Sequence, residues 1–321
     1  HVSGLKNECK RSPPSLSDLS PICSDLITEF TNNGFCVVED CVSKENITVA
    51  RNYINDNYYA WLKESKRQDD WRCHLMTDLR NENEPVEHSE TLQLLLQSPE
   101  LIKIIGNLTK STISGIFYSQ IALRTPLPPK MIKPVALDYS PGAEYHLDGQ
   151  ANSSGTRFPD PWTILVGIAL VDIVTEDMGN FTVFPGWHIR RDWSQYPEEK
   201  RTKTLPNLGE PTHVCLKAGD AVVAHVLLPH RGGKNTSGSE PSAGSSPTKA
   251  PHWNIPPNTR EMVFFRVRVA SIDYEAPSRG AALLSNVWSE FPGISHPPSI
   301  SLDAALSWPS LLKLLHFMFF A

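Results

Sequence analysis

Glycine and proline divide the sequence beyond about Ser114 into short runs rich in β-branched and aromatic residues. Because each of the 27 prolines lacks a backbone donor, long helices are disfavoured. Short strands between turn residues are typical of an antiparallel sandwich or jelly roll, and they argue against alternating βαβ units. The predicted strands are Ile116–Leu123, Ile132–Tyr139, Trp162–Val174, Asn180–Phe184, Thr212–Leu216, Ala221–Leu227 and Arg260–Ala270.

The N-terminal part of the chain has helical patterns instead. Asp25–Phe30 forms a short amphipathic stretch that Asn33-Gly34 ends, and Phe35–Glu39 follows as a strand. Ser43 precedes apolar residues at helical spacing, which predicts a capped helix. Ser98-Pro99-Glu100 combines a cap, a proline at the first helical position and an acid in the first turn. We therefore expect helices flanking a mainly β domain.

The domain organisation follows from where the composition changes. A single domain over 23–297 fits a chain of 321 residues, with 1–22 as an N-terminal tail. Residues 236–251 are rich in Ser, Gly and Pro, which predicts a flexible insertion between two strands. Residues 298–321 form an apolar C-terminal extension, which we interpret as a helix docked on the domain or a membrane-surface anchor.

Charge and composition exclude several functions. The chain has 30 Lys and Arg against 35 Asp and Glu, with no basic stripe, so we expect no nucleic-acid partner. The longest uncharged apolar stretch, Trp162–Val171, is too short for a transmembrane span. The six cysteines form no C-x-x-C pair, and reduced thiols in a cytoplasmic location are expected. The sequence does not define an oligomeric state.

The pair His146 and Asp148 indicates a metal site. Residues i and i+2 of an extended chain point to the same side, so this imidazole and carboxylate could meet one ion. A distant histidine would complete a 2-His-1-carboxylate triad, which leaves positions open for other ligands. His230, which follows the strand Ala221–Leu227, is the favoured third ligand, and His225 is the competitor. An isolated His-x-Asp is also typical of a surface histidine beside a turn.

Arg260 opens an apolar strand at a position where a guanidinium could hold a carboxylate through two hydrogen bonds. Arg266 and Arg268 share its face of a regular strand and compete for this role. An inward guanidinium at either position would indicate an anionic substrate, whereas arginines near strand ends often face solvent.

Several motifs occur together in a fixed order. They are Gly34-Phe35, His146 with Asp148, the stretch from Gly179 to His188 (GNFTVFPGWH), Gly219-Asp220, the stretch from His230 to Ser237, and Arg260. In this order and spacing the sequence resembles the phytanoyl-CoA hydroxylase-like group of Fe(II)/2-oxoglutarate-dependent dioxygenases. The resemblance extends roughly from Cys23 to Ile294.

The resemblance implies a double-stranded β-helix, that is, a cupin-like jelly roll with flanking helices. It implies that His146, Asp148 and His230 are the iron ligands. Arg260 would bind the distal carboxylate of 2-oxoglutarate, and Thr182, within the stretch from Gly179 to His188, is a second candidate for co-substrate binding. Tyr145, Gln150, Trp187, Arg266 and Arg268 are candidate substrate contacts.

The implied reaction is oxidation, most simply hydroxylation, of a small organic molecule with release of succinate and CO2. Fe(II), 2-oxoglutarate and O2 would be required, with ascorbate as the reductant. Two alternatives use the same barrel: a zinc-binding hydrolase, and a non-catalytic relative that serves as a binding module.

Overall fold

The computed structural model describes residues 21–64, 72–77, 87–127, 145–148, 159–190, 205, 208–238 and 254–295. The run Ile132–Tyr139, the C-terminal extension 298–321 and Gln150 lie outside the described residues, as do most of the tail 1–22 and of the insertion 236–251. No helix within the described ranges combines the length and the hydropathy that crossing a bilayer requires.

The described residues form mostly helices before Ile113 and mostly strands from Ile113 to Val269. The helices are α1 (Pro21–Asn33), α2 (Lys44–Glu64), α3 (Glu87–Gln93), α4 (Pro99–Thr109), α5 (Trp187–Arg190) and α6 (Arg279–Ser285), with a 3₁₀ turn at Leu94–Gln97. The strands are β1 (Phe35–Val38), β2 (Arg72–Thr77), β3 (Ile113–Arg124), β4 (Ile164–Ala169), β5 (Phe181–Val183), β6 (Thr212–Val214), β7 (Ala221–His225), β8 (His230–Gly232) and β9 (Arg260–Val269).

Helix α4 begins as its sequence predicts. The Ser98 side chain accepts a hydrogen bond from the backbone N–H of Leu101 at 3.2 Å, and Pro99 occupies the first turn. Together they satisfy donors that the start of a helix leaves without a partner. Lys110 ends the helix in the left-handed conformation. Strand β2 and helix α3, by contrast, have no counterpart among the predicted elements.

The strands form two antiparallel sheets. The larger has the order β1-β7-β4-β9-β3-β2, and the smaller has the order β6-β5-β8. The two sheets pack face to face, and the ring of Phe181 in β5 lies 5.4 Å from that of Phe264 in β9. Both sheets are open within the part of the chain that the structure describes. The predicted mainly β architecture with flanking helices is confirmed.

The larger sheet is buried on both faces. Along β4, Leu165 and Ala169 join the core between the sheets, whereas Val166 and Ile168 join the core under the helices. This alternation explains why β4 is a continuous apolar run rather than an alternating one. In β9 the even-numbered Met262 and Phe264 face the smaller sheet, so the same face carries the even-numbered arginines of that strand.

Strand pairing aligns arginines at one end of the larger sheet. Arg260, the first residue of β9, pairs with Arg124, the last residue of β3. Arg124 in turn pairs with Arg72, the first residue of β2. Glu261 points the opposite way, and both of its carboxylate oxygens accept hydrogen bonds at 2.9 Å from Arg51 of α2. This ion pair fastens α2 to β9 next to Arg260.

His225 lies in an aromatic cluster and not at the His-x-Asp motif. Its ring stacks on Phe291 with centroids 4.6 Å apart. Its Nδ1 accepts from the backbone N–H of Leu227 at 3.0 Å, so Nε2 donates to the carbonyl oxygen of Val287 at 2.9 Å. Burial lowers the pKa of His225 to about 4, and the bond to Val287 offsets this only in part.

This environment predicts a loss of stability in mild acid. The unfolded chain binds a proton near pH 6.5 but the folded chain binds it only near pH 4, so the contribution of neutral His225 is complete above pH 6.5. As the pH falls to 4, this contribution to the free energy of unfolding should diminish by about 3 kcal/mol. Urea unfolding of wild type and His225→Gln at several pH values measures this. The difference in the free energy of unfolding between the two proteins should shrink as the pH falls from 6.5 to 4. A constant difference would contradict a low pKa for His225.

Candidate active site

His146 and His230 are held opposite each other by their own backbones. The N–H of His146 donates to the carbonyl of His230 at 3.0 Å, and the N–H of His230 donates to the carbonyl of His146 at 3.1 Å. His230 is the first residue of β8, which pairs with β5. Asp148 follows two residues after His146, and Leu147 between them is buried. The pairing thus brings residues 84 positions apart to one place.

The three side chains converge as the sequence predicts. Asp148 Oδ1 lies 3.4 Å from Nε2 of His146 and 3.6 Å from Nε2 of His230. One ligand atom from each residue falls within 4.8 Å of the others, a spacing that can hold a metal ion. His230 Nδ1 lies 2.9 Å from the carbonyl oxygen of Leu228, which only accepts. The proton is therefore on Nδ1, and Nε2 presents its lone pair to the triad.

The protonation states of this triad favour the binding of a cation. Burial alone would raise the pKa of Asp148, but the charge of Arg266 and, after it, the two neighbouring histidines outweigh burial and hold that pKa well below its usual range. Burial lowers the pKa of His230, and the neighbouring Asp148 only partly offsets the effect. At neutral pH the site thus has an ionised carboxylate beside a neutral imidazole, the protonation states that metal ligands need.

Arg266 controls how Asp148 is oriented. Its Nε donates to Asp148 Oδ2 at 2.8 Å, so the oxygen that faces the histidines is the other one, Oδ1. Its Nη1 donates to Gln120 Oε1 at 3.2 Å, and its guanidinium lies 4.5 Å from the centre of the Tyr118 ring. Fixing one carboxylate oxygen leaves a single oxygen to point at an ion.

A cavity of 190 Å³ extends from the triad between the two sheets. Its described lining includes three arginines, Arg124, Arg260 and Arg266, and one acid, Asp148. Arg260 is 2% exposed, and its Nε has no hydrogen-bond partner among the described residues. Its Nη1 donates to the sulfur of Met262 at 3.3 Å. Burial lowers the pKa of Arg260 to about 9. The cavity therefore has an excess of buried positive charge.

These features fit Fe(II) and 2-oxoglutarate. Two imidazoles and one carboxylate match the donor set of non-haem iron oxygenases, which leaves coordination positions open. The buried guanidinium of Arg260 matches a ligand with a second carboxylate beyond the one near the metal.

The other candidate residues lie elsewhere, as far as the structure describes the cavity wall. Thr182 is buried on the far side of β5 from Phe181 and donates to the carbonyl of Asn180 at 3.2 Å. Tyr145 packs its ring edge-on against Phe184, and Trp187 packs into the core between the sheets. Arg268 donates to the carbonyl of Pro161 at 2.7 Å. Of the predicted substrate contacts, Arg266 lines the cavity, and Gln150 lies outside the described residues.

The sequence interpretation missed the contribution of β3 to the cavity. Tyr118, Gln120 and Arg124 line it from this strand, together with Ala122. These residues alternate with buried apolar ones such as Ile121 and Leu123, which belong to the core under the helices. The signal that could have found them is this alternation, because polar side chains at every second position of a buried strand need a polar site to face.

The sequence matches the phytanoyl-CoA dioxygenase (PhyH) family over residues 30–242, a range that includes His146, Asp148 and His230. The chain belongs to this family. Family members are enzymes that use Fe(II), 2-oxoglutarate and O2, so these are the cofactor and co-substrates of this protein. The matched range ends before Arg260, so the assignment of that residue depends on the cavity geometry. The sequence has no match among curated proteins.

Solved structures to which this chain is similar include the non-haem α-ketoglutarate-dependent carbocyclase SnoK from nogalamycin biosynthesis. It is 16% identical, with 80% of this chain and 86% of that chain covered and a TM-score of 0.48. AviO1 from Streptomyces viridochromogenes Tue57 is also 16% identical, with 78% and 96% covered and a TM-score of 0.48. The epimerase SnoN in complex with Fe3+, α-ketoglutarate and nogalamycin RO is 16% identical, with 86% and 93% covered and a TM-score of 0.47.

The converging triad predicts one metal-binding site. We expect wild-type protein to bind Mn(II), a spectroscopic substitute for Fe(II), and His230→Ala and Asp148→Ala to weaken binding by more than about 100-fold, beyond the usual effect of residues that only support ligands. Electron paramagnetic resonance of free Mn(II) measures the affinity. His225→Gln serves as the control, because His225 is equally buried but belongs to the aromatic cluster. If His230→Ala binds Mn(II) as tightly as wild type does, the triad is not the metal-binding site.

Proposed function

We propose that this protein hydroxylates a small organic molecule in an Fe(II)- and 2-oxoglutarate-dependent reaction that releases succinate and CO2. The observation that carries the proposal is the convergence of His146, Asp148 and His230 at one cavity with the buried guanidinium of Arg260. Iron with 2-oxoglutarate and O2, when bound, supplies the oxidising chemistry. The protein supplies the positions of the reactants and excludes water.

Each residue in this proposal has one task. His146, Asp148 and His230 hold the metal, and the hydrogen bond from His230 Nδ1 to Leu228 keeps the second ring nitrogen available. Arg260 binds the distal carboxylate of the co-substrate. The apolar part of the wall, with Leu165, Phe181 and Phe264, keeps water from the reacting atoms. A zinc hydrolase on the same fold would have no use for the buried guanidinium of Arg260 in the cavity that holds its metal ligands.

The test is a screen for succinate release. Purified protein is supplied with Fe(II), 2-oxoglutarate, ascorbate and a panel of small metabolites, and products are analysed by mass spectrometry. Substrate-dependent succinate together with a product heavier by one oxygen atom supports hydroxylation. Coupled succinate with a product of another mass would replace hydroxylation by another oxidation. Hydrolysis of a panel compound with Zn(II) and without 2-oxoglutarate would favour the zinc hydrolase.

We also propose a reducing, cytosol-like location and a single domain over 23–297. The thiols of Cys23, Cys36 and Cys41 are free and buried. Burial raises the pKa of Cys36 well above its usual value and that of Cys41 to about 12, so both stay protonated. The single domain is supported by the larger sheet, which contributes to the core on both of its faces.

Arg260→Met should raise the KM for 2-oxoglutarate by roughly 10- to 100-fold, the effect of losing a charge-assisted pair, with a smaller change in kcat. Succinate formation at varied 2-oxoglutarate concentrations measures this. Arg268→Met is the matched control, because Arg268 lies on the same strand and its Nε bonds the Pro161 carbonyl outside the described cavity wall. If Arg268→Met raises KM and Arg260→Met does not, Arg268 takes over the role of Arg260.

A further inference from the structure

Two arginines, and not one, face the end of the cavity away from the triad. Arg124 and Arg260 are direct partners across the antiparallel β3–β9 pair, and both line the cavity. They are 1% and 2% exposed. Directly opposed side chains on neighbouring strands lie about 5 Å apart at Cβ, and like charges at that spacing repel each other. A buried pair of guanidiniums is therefore unfavourable unless anionic groups compensate it.

Two glycines make room for this arginine pair. A Cβ at Gly232 would lie 2.6 Å from Arg124 Nη2, so only glycine lets that guanidinium lie against β8. A Cβ at Gly179 would lie 2.9 Å from the Cβ of Arg124 and 3.2 Å from that of Arg260, and Gly179 has a φ of +80°. The backbone is thus shaped around both arginines. Gly232 also lies two residues after His230, which links this end of the cavity to the triad.

We propose that Arg124 binds the distal carboxylate of 2-oxoglutarate together with Arg260, so that two guanidiniums hold one carboxylate. The inference rests on the proposed function, in which Arg260 already has this role. It adds Arg124 as a residue that determines co-substrate specificity. Two cations facing one carboxylate make binding depend strongly on that carboxylate, so 2-oxo acids without it should bind poorly.

The experiment compares two ligands with Mn(II)-loaded protein by isothermal titration calorimetry. 2-Oxoglutarate has the distal carboxylate, and 2-oxobutyrate has the same 2-oxo acid end without it. Arg124→Met should raise the Kd for 2-oxoglutarate by roughly 10- to 100-fold, as expected for a charge-assisted hydrogen bond. The Kd for 2-oxobutyrate should stay unchanged. Arg124→Lys should have a smaller effect, because it keeps the charge but not the planar fork.

Arg231→Met is the matched control. Arg231 is also buried and lies on β8, but its guanidinium stacks on the Tyr145 ring at 4.4 Å, away from the described cavity wall. This variant should bind both ligands like wild type. A Kd for 2-oxoglutarate within twofold of wild type in Arg124→Met would overturn the proposal. An equal rise for both ligands would overturn it as well, because that result indicates a structural role.

Gly232→Ala provides a second variant that keeps Arg124 itself. The added methyl would collide with the far end of a flexible side chain, so we expect the fold to persist while the guanidinium moves. Its Kd for 2-oxoglutarate should rise and that for 2-oxobutyrate should not. If Arg124→Met fails to fold, this variant decides, and unchanged 2-oxoglutarate binding overturns the proposal. Wild-type protein that binds no Mn(II) would instead refute the proposed metal site.

Discussion

A buried carboxylate is the constraint on which the site depends. Asp148 is 5% exposed, and an ionised carboxylate at that depth persists only where charges and donors compensate for lost water. The compensation comes from separate parts of the chain: Arg266 on β9 holds one oxygen, and His146 and His230 face the other. The low pKa of Asp148 is the result, and it leaves an ionised oxygen directed at the centre of the triad. The sheet pairings are what bring these groups within reach.

The same sheets create the opposite situation at the other end of the cavity. There the pairing of β3 with β9 sets Arg124 beside Arg260, and the one acid in the described lining, Asp148, is held by Arg266. The cavity thus has a negative end at Asp148 and a positive end at the arginine pair. The negative end is complementary to a metal ion, and the positive end is complementary to a carboxylate. Cofactor binding would therefore add a charge of opposite sign at each end of the cavity, which links folding and function through the same buried groups.

Local sequence patterns were sufficient for much of the fold and for part of the site. The cap at Ser98, the short strands and the position of Arg260 at the start of β9 are all as predicted, because each depends on neighbouring residues. The cavity-lining side chains of β3 were not predicted, because the site that they face is completed by β9, a strand in the last third of the chain. A bulge between Ile116 and Ser119 shifts the register, so that consecutive Phe117 and Tyr118 meet Arg268 and Arg266, which are two positions apart.

The sequence by itself determined the chemistry that this protein can perform: a His-x-Asp pair, a later histidine and an arginine opening an apolar strand, in the order typical of one enzyme family. Only the tertiary structure decided which groups each arginine contacts. It directed Arg260 and Arg124 to the far end of the cavity, Arg266 to Asp148 and Arg268 to a backbone carbonyl. The physical reason is that alternation along a strand is local, whereas the partner that each side chain meets is set by register with distant strands.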